Sequence, residues 1–254
     1  MKKHFILFTC LLTTNALCQN VGNILNRYFE ATGGQAEWES ITSKIIKTHI
    51  WAYHSSELTL KNERYLSPQG LTKTEQVLFV KMGEKLRDSS FSVKEDGSTY
   101  YADYFLIKDK AWIRIGRKTF PLIDKMQKVL SVISRFTLGT PEEYFAYNTS
   151  DFTFFEQKTI QQDSYDVLQF SHFDKIMQKE RRHILWFNCR TGLLEKKETL
   201  DDGFFTTYED YTTYGKLRIP QVIKTFKANH LIAEHRIYSF ITNVNIDDRL
   251  FDPN

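Results

Sequence analysis

Apolar and polar positions alternate along most of this chain. Val222, Lys224 and Phe226 stand out of phase with Ile223, Thr225 and Lys227, and Ile237, Ser239 and Ile241 with Tyr238, Phe240 and Thr242. A period of two sends successive side chains to opposite faces of a strand. The same reading predicts strands over 45–53, 57–65, 75–82, 85–93, 99–107 and 111–117, then over 152–160, 165–173, 183–188, 193–199, 204–211, 221–229 and 233–244. Their connections are short and rich in turn formers, as in Glu95-Asp96-Gly97, Arg190-Thr191-Gly192 and Asp201-Asp202-Gly203. Consecutive strands joined by tight turns must run antiparallel. About a dozen of them, with no break in composition, predict one sheet that coils into a barrel or part of one.

Two stretches depart from alternation. Val21, Ile24, Leu25, Tyr28 and Phe29 recur at three and four, and Gly33-Gly34 follows where a helix needs a left-handed cap, so the folded part opens on an amphipathic helix continued by Trp38 and Ile41. In mid-chain, Pro121 heads a run whose apolar residues Leu122, Ile123, Met126, Val129, Leu130, Val132 and Ile133 have mostly helical spacing, predicting a helix over 121–136. A shorter helical piece is predicted at Pro141, with Glu142 and Glu143 in its first turn. The wide apolar face of 121–136 must lie on something, and the concave side of the sheet is available.

Residues 1–18 read as a secretory signal: Lys2 and Lys3, an apolar run from Phe5 to Leu12, and Ala16-Leu17-Cys18 before Gln19. Cleavage there makes the mature chain periplasmic, and acylation of Cys18 is the alternative, giving an anchored lipoprotein. Residues 19–254 then form a single domain. Loss of Lys2 and Lys3 lowers the formal charge from +3 to about +1, with no basic stripe of the kind nucleic acid requires. The densest positive run, Lys179 to Arg182, reads as a solvated strand end. Cys189 is left alone, without a disulfide framework.

No glycine-rich phosphate loop, nucleophile elbow or His-Glu-x-x-His motif occurs, so the chain is not read as an enzyme, and neither a cofactor nor a metal is expected. His172 with His183, and His230 with His235, lack a third ligand at zinc spacing. Glu209 and Asp210 are neighbours on a strand and point apart unless a bulge intervenes. What stands out is an aromatic surplus, 15% of the chain. It reads either as ordinary core or as the lining of a partly filled apolar pocket. On the second reading, the ligand contacts are Leu122, Met126, Leu130 and Ile133 on the lid and Tyr104, Trp112, Phe170 and Trp186 on the facing strands.

Tyr28-Phe29-Glu30-Ala31-Thr32-Gly33-Gly34 with Trp38 and Ile41, and the closing run Tyr214-Gly215-Lys216-Leu217-Arg218-Ile219-Pro220 through Asn245-Ile246-Asp247-Asp248 to Leu250-Phe251-Asp252-Pro253, resemble the two ends of exported Bacteroidetes-type proteins related to the lipoprotein-sorting factors LolA and LolB. The resemblance is good at both ends and only architectural between them, and its motifs, a Gly-Gly helix end, a proline before a strand and a terminal apolar anchor, speak to fold more than to activity. It implies a mainly β fold, one curved antiparallel sheet forming an open half-barrel with helices plugging its mouth. It also implies a carrier or receptor for acyl chains of a lipid or lipoprotein, with inner- or outer-membrane sorting proteins as partners. An envelope scaffold with a filled interior has the same alternation and stays open as the alternative.

Overall fold

A computed structural model describes residues 20–54, 70–83, 85–108, 110–122, 140–144, 147–174 and 179–253. The signal segment, the strand predicted over 57–65, and the lid residues Met126, Leu130 and Ile133 lie outside the described residues.

Helix α1 (Val21–Ala31) starts on Asn20, whose side chain accepts from the Gly22 N–H, and buries Ile24, Leu25 and Tyr28. It stops where predicted. The Gly33 and Gly34 N–H groups donate back to the Glu30 and Phe29 carbonyls, at 3.1 and 2.8 Å, closing the helix with two left-handed glycines. Gly33 has a second constraint: a Cβ there would sit 2.5 Å from the Lys216 carbonyl oxygen. The short α2 (Gln35–Glu39) follows and buries Trp38, whose indole N–H donates to the Thr32 carbonyl.

The described strands make one 13-stranded antiparallel sheet. β1 (Ser43–His54), β2 (Gly70–Lys81), β3 (Lys85–Lys94), β4 (Thr99–Ile107), β5 (Lys110–Ile115) and β6 (Lys118–Pro121) meander outward to one edge. β7 (Phe152–Ile160) forms the other edge, and β8 (Asp163–Asp174), β9 (Lys179–Asn188), β10 (Leu194–Thr199), β11 (Phe204–Tyr214), β12 (Leu217–Lys227) and β13 (His230–Thr242) meander back until β13 pairs with β1. The sheet is not closed into a barrel: β6 and β7, consecutive in the chain, are its two free edges. Residues 122–151 therefore connect opposite edges. Their part at Pro141–Glu143, a single 3-10 turn with both acids in its first turn, lies on the inner face with α1 and α2.

Two prolines depart from expectation. Pro121 does not open a helix but ends β6 opposite Trp112, on an edge strand where the missing N–H costs no ladder bond. Pro220 does not separate two strands but lies inside β12 opposite Tyr211. Asp210 takes a left-handed φ of 53° there, but the register is the same on either side of it, with Glu209 opposite Val222 and Tyr211 opposite Pro220, so the proline sits in mid-sheet without a bulge.

The outer face is covered in part by the chain's end. The Asp248–Phe251 3-10 turn buries Phe251 beneath Lys81 and Lys85, which both pair with Asp248. The Leu250 carbonyl accepts from Arg87 and the Pro253 carbonyl from Thr119. Beside it, fully buried Asp103 accepts from Arg87, Arg114, Ser89 and Tyr101. Burial pushes its carboxyl up, but those hydrogen bonds outweigh it and hold the acid below its usual range.

Candidate ligand-binding face

Register assigns every strand residue to a face. Lys44 and Ile46 of β1 point inward, and the pairings carry that face across β2 to β6 in two rows: Val80, Leu86, Leu106, Ala111 and Leu122, then Leu78, Asp88, Tyr104, Ile113 and Phe120. A third row, Gln76, Ser90, Ala102 and Ile115, is more polar near β2. This face ends in large exposed side chains, with Tyr100 and Ile115 both 41% exposed and Phe120 46%.

The inner face of β8 to β13 is different. There α1 and α2 pack Ile24, Leu25, Tyr28 and Trp38 against Leu168, Phe170, Leu185, Phe187, Leu194, Tyr208, Ile219, Ile237 and Phe240. The Pro141–Glu143 turn and Tyr144 fill the remaining space. Tyr144 meets Tyr28, Phe152 and Phe170 edge-on. Among the described residues this core takes Ile46 from β1 and reaches Leu78 of β2, but draws nothing from β3 to β6.

Two ion pairs seat the turn. Lys44 of β1 meets Glu142 at 2.5 Å, and Lys197 of β10 meets Glu143 at 3.2 Å, with the Glu143 side chain fully buried. Lysines facing the interior are costly unless paired, and here each has its carboxylate. The seat is not fully satisfied: Glu142 Oε1 and the Tyr144 hydroxyl are buried without a hydrogen-bond partner among the described residues. Burial, with the Glu143 charge next, pushes the Tyr144 and Tyr208 phenols well above the usual range.

At the β7 edge the inner face carries a stack of flat rings. Phe152 and Phe170 lie 4.6 Å apart, Phe170 and His172 5.0 Å, His172 and His183 5.3 Å. Burial, Lys197 and His172 lower the His183 pKa to about 3, so the ring is neutral, its Nδ1 next to the Thr199 hydroxyl. These histidines are stacking partners, and no group of three metal-capable side chains occurs among the described residues. No register shift separates Glu209 from Asp210, and Glu209 is taken up by Lys224 at 2.6 Å. Lys179 and Arg181 pair with Asp202, and Arg182 with Asp201, so the basic run is neutralised by the neighbouring turn.

The residues expected to contact a ligand divide among three places. Leu122 and Tyr104 share the inner face of β2 to β6. Phe170 is inward but already packed in the filled half. Trp112 and Trp186 are on the outer face: Trp112 pairs with Phe105, beside Asp103 and its arginines, and Trp186 packs on Val167, Ile184 and Tyr165 under Lys158 and Lys196. They cannot line one pocket with Phe170, because the two faces of a strand are separated by the backbone. Sequence reasoning missed Asp88, Ile113 and Phe120, which are legible as inward only once the register against Ile46 is known. Two depressions lined by described residues lie elsewhere. One of about 590 Å³ opens at Ile41–Ser43, Lys81 and Asn243–Ile246, and one of about 490 Å³ runs along α1 by Cys189 and Arg190. Their linings mix polar and apolar groups.

No protein-family model matches the chain, and no curated protein matches it. Solved structures do. A LolA superfamily protein from Nitrosomonas europaea superposes with a TM-score of 0.54 at 13% identity, covering 92% of this chain and 97% of that one. A DUF1329 family protein from Desulfovibrio piger superposes with a TM-score of 0.50 at 9% identity over the same shares. The fold is LolA-like, an open half-barrel.

Proposed function

We propose that this chain is an exported, non-catalytic carrier or receptor that shields acyl chains of a lipid or lipoprotein against the inner face of β2 to β6. The observation that carries the reading is the division of that face: helices fill one half, and the core they build stops at Ile46 and Leu78. Beyond it, Val80, Leu86, Ala102, Ala111 and Leu122 are buried, while Tyr104, Leu106 and Ile113 are half-buried and lead to exposed Tyr100, Ile115 and Phe120. A cluster of exposed apolar side chains beside a buried row marks a place for a ligand or partner. The resemblance at the chain's two ends and the LolA-like fold support acyl chains as the cover. Each methylene withdrawn from water is worth about 0.8 kcal/mol, so roughly ten give about 8 kcal/mol before ordering costs, enough to hold a lipid and still release it.

Leu122 and Tyr104 are the proposed contacts that the inner face supplies, together with Ile113 and Phe120. Met126, Leu130 and Ile133, which follow Leu122 in the chain, are proposed as further contacts. Residues 1–18 direct export, with the periplasm as the destination. Cleavage leaves a free carrier and acylation of Cys18 a tethered one, and membrane sorting proteins are the proposed partners. The test is native mass spectrometry of the chain from Gln19 onward, with organic extraction. Bound phospholipid or acyl species, displaced by a fluorescent fatty acid, are expected. A clean mass with no uptake of lipid would instead make the protein a scaffold with a filled interior.

A further inference from the structure

Two aspartates on neighbouring strands show how differently the faces treat charge. Asp103, on the outer face, is held by two arginines. Asp88 points inward, between Leu78 on β2 and Tyr104 on β4, and is 8% exposed. Its partners are neutral: Gln76 Nε2 donates to Oδ2 and Ser90 Oγ to Oδ1, each at 2.8 Å. No cation pairs with it among the described residues. Arg87, one position away, is turned by strand alternation to the other side, where it serves Asp103. Burial accordingly raises the Asp88 pKa, against the two hydrogen bonds, with the Asp103 charge adding to the rise.

A carboxyl in that position is a poor choice for packing. An uncompensated buried acid costs stability, and a leucine would continue the row of Leu78, Tyr104 and Ile113. Each carboxyl oxygen, with one donor engaged, keeps room for another. Around it Thr74 and Ser92 bond to each other at 2.8 Å, so the more polar corner of the face adjoins the apolar rows. An amphiphile lying along Leu106, Ile113 and Phe120 would bring its polar end to this corner.

Resting on the reading of this face as an acyl-chain site, we infer that Asp88 is a head-group selector: it accepts a hydrogen bond from a hydroxyl or amide N–H next to the acyl chain and excludes amphiphiles whose head is an anion. A carboxylate head placed against an ionised Asp88 would set two like charges together, whereas a glycerol hydroxyl would donate to it.

The experiment compares 1-monopalmitoylglycerol with palmitate at pH 8, by displacement of a fluorescent alkyl probe, in the unaltered chain and in Asp88→Asn and Asp88→Leu. The unaltered protein should bind the monoglyceride at least about tenfold more tightly than palmitate, the range of one hydrogen bond to a charged group. Asp88→Asn should narrow that ratio by strengthening palmitate. Asp88→Leu should weaken the monoglyceride about tenfold while the protein melts no lower than the unaltered chain, which a merely structural aspartate would not allow. Equal binding of both probes, unchanged by either substitution, overturns the assignment of Asp88 and leaves acyl carriage standing. Binding of neither probe by any of the three proteins overturns both.

Discussion

One sheet, built of two meanders joined where β1 pairs with β13, presents two inner faces that the chain treats in opposite ways. Over β8 to β13 the helices, Tyr144 and the aromatic ladder build a dense interior, and even its charged members, Lys197 and Glu143, are paired. Over β2 to β6 the pairing is as regular, yet the face ends in exposed side chains and Asp88 has only neutral partners among the described residues. Strand pairing alone therefore does not decide what a sheet is for. The difference is in what meets each half: helices and the Pro141–Glu143 turn pack on the first, and the second, on the function proposed above, is where a ligand lies.

The comparison can be broken most severely from the filled side. Phe187→Ala should cost about 3–5 kcal/mol in chemical denaturation, the toll of removing a fully buried ring. Glu143→Ala should cost a similar amount, because it strands Lys197 in the interior, and adding Lys197→Met should recover most of the loss. A double variant as unstable as the single one would show that the acid holds the turn in some other way. Next in size is Gly33→Ala. Its left-handed φ of 117° and the 2.5 Å approach to the Lys216 carbonyl should cost about 1–3 kcal/mol, read as a lowered melting temperature.

An effect confined to acid follows from His183. Its folded pKa of about 3 is far below that of a histidine in an unfolded chain, so the unfolded state binds more protons between those values. Stability from this residue is complete above about pH 6.5 and is lost as pH falls toward 3, by at most about 1.4 kcal/mol per pH unit. His183→Phe, which keeps a flat ring beside Phe170, should flatten that slope, measured as unfolding free energy at a series of pH values. An identical slope in the two proteins would place the acid sensitivity elsewhere. On the open side, Ile113→Ser should change stability by less than about 1 kcal/mol while reducing acyl-probe uptake. A large loss of stability there would mean that this half is packed core too.

Much of the fold was legible from alternation. The spans of β4 and β7 coincide with the predicted ones, and the Gly33-Gly34 stop acts as its residue types require. Pro121 misled because a proline suits both the first turn of a helix and an edge strand, and four residues of β6 are too few to show a period. The site was only half legible. Phe105 and Tyr104, or Phe187 and Trp186, are equally apolar neighbours, and nothing in an aromatic pair says which member faces inward. The clamp of Lys44 on Glu142 joins residues far apart in the chain, and no local pattern announces it.

The central claim, that one half of the inner face takes a ligand and the other does not, is tested most directly by photolabelling. A monoacylglycerol carrying a diazirine at the end of its chain would be bound, irradiated and mapped by peptide mass spectrometry. The account predicts adducts concentrated on β4 to β6 and Leu122, at Tyr104, Leu106, Ile113 and Phe120. Adducts distributed over β8 to β12, or equal labelling of both halves, would contradict it.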